Sequence, residues 1–371
     1  MNNTNITIKN VEIDGYTSGG EGVARLADGR VVFVYGAARG DILEIRLTEI
    51  KPRIARAEIV SIIKPSPYRI KPDCPVYPRC GGCDFRHITY EEELWAKLRR
   101  VNDAMRRIGG SSIQTNTILS TGQTDGYRNK AVFHSDGVSH GFYARQSHDI
   151  VRVTHCKLLK EDINAALKDM SADDELTLRS GRNGISQSIE EELDGLIFEI
   201  SGFFQINTNA ALLLFQKARE YAAMSKDETL VDLYCGVGAL TLFIGRDAGQ
   251  AYGVELNPKA VETAQKNARR NGLAHIQFFT ADVGKWQNSP QNPDCLIVDP
   301  PRSGLSKTAI RKILELVPKR LVYISCDPAT LARDIQRLTG YEPKKLCAVD
   351  MFPRTANIEC CCLLEDASSR Q

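Results

Sequence analysis

The chain has 371 residues, of which 42% are hydrophobic and 25% are charged, as in ordinary soluble globular proteins. Its longest apolar runs are much shorter than a membrane span, and its first ten residues lack the pattern of a secretory signal. These features exclude a membrane-spanning class and predict a cytoplasmic protein. Residues 1–160 hold 24 Lys+Arg and 17 Asp+Glu, a net of +7, whereas the remainder carries a net of −5. Unless this asymmetry arises by chance, the basic N-terminal part of the chain predicts a polyanionic partner.

Residues 6–62 predict an all-β unit. Four β-branched runs are separated by Gly, Pro or Asp turn signals at close spacing. Such spacing favours a small barrel of the oligonucleotide-binding kind. The following segment, KPSPYRIKPDCP, places four prolines within twelve residues and therefore predicts a domain boundary near residue 64.

An amphipathic helix is predicted from Tyr90 to Ile108, where apolar residues recur at three- and four-residue steps. Its other face is basic, and this face either contacts RNA or is simply solvated. The basic residues are Lys97, Arg99, Arg100, Arg106 and Arg107.

Strand-like runs follow this helix and combine basic with aromatic residues. This mixture suits a splayed-out single strand of nucleic acid, and a partly buried sheet with a charged outer face is the alternative. The residues are Arg128, Lys130, Arg145, Tyr127, Phe142 and Tyr143.

From Gly202 onward, short apolar strands alternate with helical patterns. Repeated βα units of this kind predict a doubly wound parallel sheet, in which ligands bind outside the carboxyl ends of the strands. The chemically distinctive residues of this half all follow such strand ends.

A Gly-rich turn, DLYCGVG, lies between a predicted strand and a helix. Gly236 and Gly238 permit a tight turn beside a helix N-terminus, and Glu255 ends the next strand, where an acid can bind ribose hydroxyls. Asp282 closes a third strand. Thr241 stands where a dinucleotide-binding fingerprint would have its third glycine. The Gly-rich turn, Glu255 and Asp282 together instead resemble the cofactor site of class I S-adenosylmethionine methyltransferases. A generic Rossmann turn is the alternative.

Two further strand ends carry reactive groups. Asp299 precedes two prolines, which stiffen its turn, and Arg302 stands where amino-methyltransferases often have an aromatic residue. Cys326 ends the strand LVYISC, on the cofactor side of the sheet. A thiolate there could attack carbon 6 of uracil and make carbon 5 nucleophilic toward a methyl group. Glu359, near the start of a final strand, could then remove the proton from carbon 5.

Together these segments resemble the RNA uracil-C5 methyltransferase family, and the N-terminal barrel resembles a TRAM domain. The resemblance covers nearly the whole chain and rests on GFFQINTNAA, DLYCGVGALTL, DPPRSGL, SCDPATLARD and MFPRTANIE. It implies Cys326 as nucleophile and Glu359 as base. It implies that S-adenosylmethionine is bound by Gln205, Tyr234, Glu255, Asp282 and Asp299, beside the two glycines. Asn357 and Ala239 depart from the family, which usually has His and often has Asn at these positions.

The cysteines fall into two groups. Six lie among apolar residues and are predicted core residues: Cys235, Cys295, Cys347, Cys360, Cys361 and Cys362. Cys74, Cys80 and Cys83 form a C-x5-C-x2-C pattern, which with Cys156 gives four thiolates that suit zinc or iron–sulfur equally. The family resemblance favours a [4Fe–4S] cluster. His87 and His155 are alternative ligands, although surface or capping roles suit them better.

We therefore expect an α/β protein with three parts: a TRAM-like RNA-binding barrel (1–64), a central α+β domain with the cluster (65–200) and a Rossmann-like methyltransferase domain (201–371). We expect a monomeric RNA 5-methyluridine methyltransferase that acts on large-subunit (23S) rRNA, with a tRNA T-loop uridine as the alternative. An RNA cytidine C5-methyltransferase would need a Pro-Cys motif where DPPR stands. A non-enzymatic RNA-binding protein or chaperone is disfavoured because Cys326 and Glu359 are intact.

Overall fold

The computed structural model describes residues 6–168, 175–186, 188–287 and 289–367. Its N-terminal strands are β1 (Thr7–Glu12), β2 (Gly15–Tyr16), β3 (Gly22–Arg25), β4 (Val31–Val34), β5 (Ile42–Ile50) and β6 (Ile54–Lys64). They form one sheet in the order β1-β5-β6-β4-β3-β2, and β1 also contacts β3, so the sheet curls on itself. Leu43, Ile45 and Leu47 alternate inward along β5 and are fully or nearly fully buried. The predicted small barrel is confirmed.

The predicted amphipathic helix is also confirmed, as α1 (Tyr90–Arg107). The side chain of Thr89 caps its first turn by accepting a hydrogen bond from the Glu92 N–H. Val101 and Met105 are fully buried on its apolar stripe.

The central elements include a five-stranded antiparallel sheet and a separate hairpin. In chain order they are β7 (Ile118–Leu119), β8 (Lys130–Ser135), β9 (His140–Tyr143), β10 (Ile150–Arg152), α2 (Glu161–Lys168), β11 (Leu176–Gly181), β12 (Gly184–Ile185), β13 (Ile189–Leu193) and β14 (Leu196–Ile200). The sheet order is β10-β9-β8-β11-β12, and β13 pairs with β14.

The remaining elements build the largest sheet and the helices around it. They are α3 (Thr208–Ala222), β15 (Thr229–Leu233), α4 (Ala239–Gly245), β16 (Gln250–Glu255), α5 (Pro258–Arg270), β17 (Ile276–Thr280), β18 (Cys295–Val298), α6 (Lys307–Leu316), β19 (Arg320–Ser325), α7 (Pro328–Arg337), β20 (Tyr341–Val349) and β21 (Glu359–Asp366). A short 3-10 turn occupies Val283–Lys285.

This sheet has the order β17-β16-β15-β18-β19-β21-β20-β7. Strands β15 to β19 run parallel, and β21 is antiparallel to both neighbours. The strand order reverses between β15 and β18, which is where doubly wound sheets bind ligands. The predicted fold class is confirmed.

Apolar clusters fill both faces of this sheet. Two elements from earlier in the chain join it: α1 packs against α7, and β7 pairs with β20. The six cysteines predicted as core residues are all buried, whereas the other five are partly exposed. Within the described ranges, no helix has both the length and the apolar character needed to cross a membrane.

Candidate active site and cysteine cavity

The Gly-rich turn after β15 is tight, as its two glycines predict, but the left-handed backbone of Tyr234 was not predicted. Tyr234 has a φ of +74°, and its N–H donates to the Val254 carbonyl at 2.9 Å. Gly238 has a φ of +80°, and a Cβ there would lie 2.8 Å from the Phe278 ring. A Cβ on Gly236 would instead meet open space. The turn is therefore packed on one side and free to receive a ligand on the other.

Carboxyl groups crowd the sheet edge beside this turn. Glu255 accepts hydrogen bonds from the N–H groups of Gly236 (3.2 Å) and Asn257 (2.8 Å). Asp232, which the sequence analysis did not single out, is buried and accepts from the Thr241 hydroxyl at 2.6 Å. Burial raises its pKa to about 7, and the charges of Asp299 and Glu255 add to this shift. Such crowding favours a cationic ligand, and the sulfonium of S-adenosylmethionine fits this requirement.

Two other predicted cofactor residues are placed by different elements. Asp282 is exposed just beyond β17, where its carboxylate accepts from the Gly284 N–H at 2.8 Å. Gln205 is buried outside the sheet, on the segment before α3. Its main-chain carbonyl accepts a hydrogen bond from the side-chain amide of Asn129 at 3.1 Å.

Cys326 and Glu359 are brought together by strand pairing. Ser325 at the end of β19 pairs with Cys360 in β21, so the next pair in this antiparallel register is Cys326 with Glu359. Directly opposite residues in such a pair have Cα atoms about 5 Å apart. Asp299 follows β18, the neighbouring strand on the other side of β19. The insertion of β21 beside β19 therefore places a carboxyl next to the thiol.

The electrostatics of this edge disfavour charge on its thiol and carboxyls. Burial, followed by the charge of Glu359, raises the pKa of Cys326 to about 11. Burial and then Asp299 raise the pKa of Glu359 well above its usual range, and burial raises that of Asp299 to about 7. The Arg302 guanidinium lowers the pKa of both Cys326 and Glu359. From the sequence, Arg302 was identified only as a departure from the amino-methyltransferase pattern. Its position directly after Asp-Pro-Pro, at a strand end, could have indicated that it lies beside Cys326.

Asp334 was likewise missed, and it holds the turn that carries Arg302. It is fully buried and accepts hydrogen bonds from the Leu305 N–H (2.7 Å) and the Tyr323 hydroxyl (2.8 Å). Arg333 and Arg337 also donate to it, at 2.8 to 3.0 Å. The carboxylate therefore joins α7 and β19 to the loop between Asp299 and α6.

The four predicted ligand cysteines line one cavity, with Arg86 and Arg128 in its wall. Burial raises the pKa of the Cys83 thiol to about 12, while Arg86 opposes the shift. Neither of the two histidine alternatives is supported as a ligand. His87 is buried away from this cavity between Tyr77 and the Ala37 carbonyl, and His155 at the cavity wall lies 3.2 Å from Glu161. In the part of the chain that the structure describes, no group of three or more His, Cys, Asp or Glu residues is arranged to hold a metal ion.

Several residues predicted for RNA contact have structural roles instead. Lys97 is buried and pairs with Glu93 (2.7 Å) and Asp350 (2.6 Å), so its place on a solvated or RNA-binding face was wrong. Tyr127 is buried and donates to the Pro353 carbonyl at 2.9 Å, which prevents it from stacking on a base. Arg145 pairs with Asp84 at 2.9 Å.

Of the other arginines of α1, Arg99, Arg106 and Arg107 are exposed and pair with Asp103 at the surface, whereas Arg100 donates to the Ala356 carbonyl at 2.9 Å. A groove of about 470 Å³ lies between the N-terminal sheet, α1 and the start of α7. Its lining includes Trp95, the arginines Arg99, Arg100 and Arg107 and the aspartates Asp14, Asp103 and Asp327, the last of which is the neighbour of Cys326. The arginines pair with two of these aspartates, Asp103 and Asp327, at 3.5 to 3.8 Å. We call it the α1 groove. It connects the barrel with the catalytic edge.

Three family models match successive parts of the chain. The TRAM domain matches residues 4–60, the methyltransferase small domain matches residues 206–322, and tRNA (uracil-5-)-methyltransferase matches residues 287–367. The last of these ranges contains Asp299, Cys326 and Glu359.

Relatives and a solved structure match almost end to end. An uncharacterized RNA methyltransferase of Thermosynechococcus vestitus is 33% identical, with 95% of this chain and 97% of the relative covered. Another from Bacillus cereus is 30% identical, with 95% of each covered. The crystal structure of Pyrococcus abyssi tRNA (uracil-54, C5)-methyltransferase with S-adenosyl-L-homocysteine has a TM-score of 0.76 and 23% identity, covering 96% of this chain and all of that one. At this identity the structural match supports the fold.

Proposed function

Because the chain belongs to the RNA uracil-C5 methyltransferase family and is an S-adenosylmethionine-dependent RNA methyltransferase, we propose that it methylates carbon 5 of a specific uridine through a covalent adduct with Cys326. The observation that carries this proposal is the pairing of Ser325 with Cys360, whose register continued by one residue sets Cys326 opposite Glu359, while the charge of Arg302 acts on both. A thiol, a carboxyl and a guanidinium at one strand edge are the groups that this reaction requires.

The reaction begins when the Cys326 sulfur bonds to carbon 6 of the uracil. The electrons of the C5–C6 double bond move toward the carbonyl oxygen at carbon 4, and the resulting enolate makes carbon 5 nucleophilic. Arg302 favours this step because its charge stabilises the thiolate against the neighbouring carboxyls. The target base must leave its stack to reach the sulfur.

S-adenosylmethionine supplies the methyl group, which carbon 5 takes from the sulfonium. Glu359 then removes the proton from carbon 5, the C5–C6 double bond forms again, and Cys326 leaves as a thiolate. The raised pKa of Glu359 makes its carboxylate a strong base for this transfer. Gln205, Tyr234, Gly236, Gly238, Glu255, Asp282 and Asp299 surround the methyl donor in this proposal.

The cysteine cavity holds a [4Fe–4S] cluster bound by Cys74, Cys80, Cys83 and Cys156. All four cysteines line one cavity, so a single group could be bound by all of them. Arg86 and Arg128 balance the negative charge of the thiolates. The cluster organises the central domain and is not a reactant.

The RNA lies along the α1 groove, so that the barrel and α1 contact phosphates while the target base enters the catalytic edge. Arg99 and Arg107 project exposed side chains there, and Trp95 offers an aromatic surface. The proposed target is a uridine of large-subunit rRNA. A tRNA uridine is the second candidate, because the matching family model bears a tRNA description.

Mapping 5-methyluridine in all RNA of a strain with and without the gene separates the two targets. Loss from one rRNA position supports the first target, and loss from the tRNA T-loop supports the second. No loss from any RNA would contradict the methylation proposal itself.

A denaturing gel with a radiolabelled methyl donor tests the covalent mechanism. Glu359→Gln should trap a methylated protein–RNA adduct, because the proton on carbon 5 remains and Cys326 cannot leave. We expect turnover to fall by about 10²- to 10⁴-fold, the usual contribution of a general base. Normal turnover of Glu359→Gln would show that another group is the base.

A further inference from the structure

The segment from Met351 to Ile358 leads directly into Glu359 and is held largely through its main chain. Its carbonyl groups accept hydrogen bonds from four side chains in three other parts of the molecule, two of them on α1. The donors are Asn207 to Met351 (3.2 Å), Lys97 to Phe352 (3.1 Å), Tyr127 to Pro353 (2.9 Å) and Arg100 to Ala356 (2.9 Å). We call residues 351–358 the base loop. Its shape depends on elements outside the large sheet.

The residue that follows the third cysteine holds the base loop at two points. The Asp84 carboxylate accepts from the Ala356 N–H at 2.9 Å. In the opposite direction, the N–H groups of Asp84 (2.9 Å) and Phe85 (3.1 Å) donate to the Arg354 carbonyl. The segment that bears Cys80 and Cys83 is thereby bonded to the loop that bears the proposed base.

Asp84 is itself fixed to the cysteine segment. Arg145 donates to the other carboxylate oxygen of Asp84 at 2.9 Å and also to the Cys83 carbonyl. The Asp84 side chain is 17% exposed, so these charge-assisted bonds are little weakened by solvent. A displacement of Cys83 would therefore move Asp84, and with it the main chain of the base loop.

The nucleophile has a different support. Cys326 directly follows β19, which is bonded to β18 on one side and to β21 on the other. Glu359 is the first residue of β21, so on one side its placement depends on the base loop. Loosening of the base loop should therefore disturb Glu359 more than Cys326.

We propose that Asp84 is a positioning residue that transmits the placement of the cysteine cavity to Glu359. Its loss impairs removal of the carbon 5 proton more than attack by Cys326 or methyl transfer. This role rests on the proposed function of Glu359. Because a misplacement of about 1 Å can cost about 10²-fold in rate, even a small loop movement would be measurable.

Asp84→Ala removes both carboxylate bonds, and Asp84→Asn keeps at most one acceptor in place. Asp73→Ala is the matched control, because Asp73 directly precedes Cys74 and pairs with Arg86 (2.9 Å) and Lys157 (2.5 Å) in the cavity wall. The metal-loaded full-length chain is mixed with RNA and radiolabelled methyl donor. Iron content, single-turnover methyl transfer and the methylated adduct on a denaturing gel are then measured.

We expect Asp84→Ala to raise the adduct about tenfold over the native chain while single-turnover methyl transfer changes by less than about threefold. Asp84→Asn should give a smaller rise, and Asp73→Ala should give none. If Asp84→Ala loses iron or fails to fold, Asp84→Asn decides the matter. Equal loss of methyl transfer and adduct release, or native behaviour of both Asp84 variants, would overturn the positioning role.

Glu359→Gln, run in parallel, separates this proposal from the function on which it rests. If Glu359→Gln traps the adduct and the Asp84 variants do not, only the positioning role fails. If Glu359→Gln traps no adduct, the assignment of Glu359 as base fails first.

Discussion

The catalytic edge and the cysteine cavity place the same side chain in opposite electrostatic surroundings. Cys326 faces the carboxyls of Glu359 and Asp299 against the single guanidinium of Arg302. The cavity thiols face one another and the guanidiniums of Arg86 and Arg128. A lone thiol beside a base suits a nucleophile that forms and breaks one bond, whereas converging thiols beside cations suit anionic metal ligation. The neighbours of a cysteine, more than its burial, indicate its chemistry.

The largest expected difference in activity and iron content is between cysteine-to-serine variants of the two regions. Cys326→Ser should reduce turnover by about 10³-fold or more and abolish the RNA adduct, because a hydroxyl is a far poorer nucleophile than a thiolate. Iron content and thermal stability should stay near those of the native chain. Turnover and adduct are measured on the gel described above. Cys235, although buried, follows β15 in the Gly-rich turn and is the next cysteine to test, so loss of the adduct in Cys235→Ala but not in Cys326→Ser would reverse the assignment.

Cys80→Ser should have the opposite profile. It removes one of four proposed ligands, so iron should be lost and the melting temperature should fall, and activity should decline as folded protein is lost and as the Asp84 link to the base loop loosens. Native chain purified without oxygen should be brown and carry about four irons. Colourless native protein with a single zinc would exclude the cluster and leave a zinc site as the alternative.

The pH dependence of catalysis should reflect the carboxyl and guanidinium neighbours of Cys326 at the catalytic edge. Catalysis needs the ionised forms of Cys326 and Glu359, and the pKa of each is raised, chiefly by burial. Because Glu359 acts only after the irreversible methyl transfer, kcat/KM depends on the Cys326 thiolate alone and should increase between about pH 6 and 9, by up to about tenfold per unit. Arg302→Gln should lower kcat/KM throughout this range because it removes the charge that lowers the pKa of Cys326. A profile that falls with pH, or one unmoved by Arg302→Gln, would contradict this assignment.

Much of this comparison could be predicted from sequence, because strand ends, spacing and turn residues are local features. Cys326, Asp299 and the Gly-rich turn all follow apolar runs, and in a parallel sheet such ends meet at one edge. The separation of core cysteines from the others also followed from their apolar neighbours.

Residues whose roles depend on distant partners could not be predicted in the same way. Lys97 borders the apolar stripe of α1, and its burial depends on Asp350, 253 residues away in sequence. Tyr127 and Arg145 looked like an RNA-binding surface because basic and aromatic side chains alternate in many half-buried sheets. The proximity of Asp84 to the base loop required the tertiary fold, since nothing in its own segment indicates that contact.

The smallest expected effect concerns the path of the RNA. Arg99 is 54% exposed and lines the α1 groove that leads to the catalytic edge, whereas Lys157 is 38% exposed at the cysteine cavity. If the groove carries the phosphates, Arg99→Ala should weaken RNA binding about three- to tenfold at low salt and reduce the slope of log affinity against log salt by about one. Lys157→Ala should change neither quantity appreciably. Fluorescence anisotropy with labelled RNA over a series of salt concentrations measures both. An equal loss in the two variants would place the RNA over both regions, and a loss in Lys157→Ala alone would move its path from the groove to the cavity.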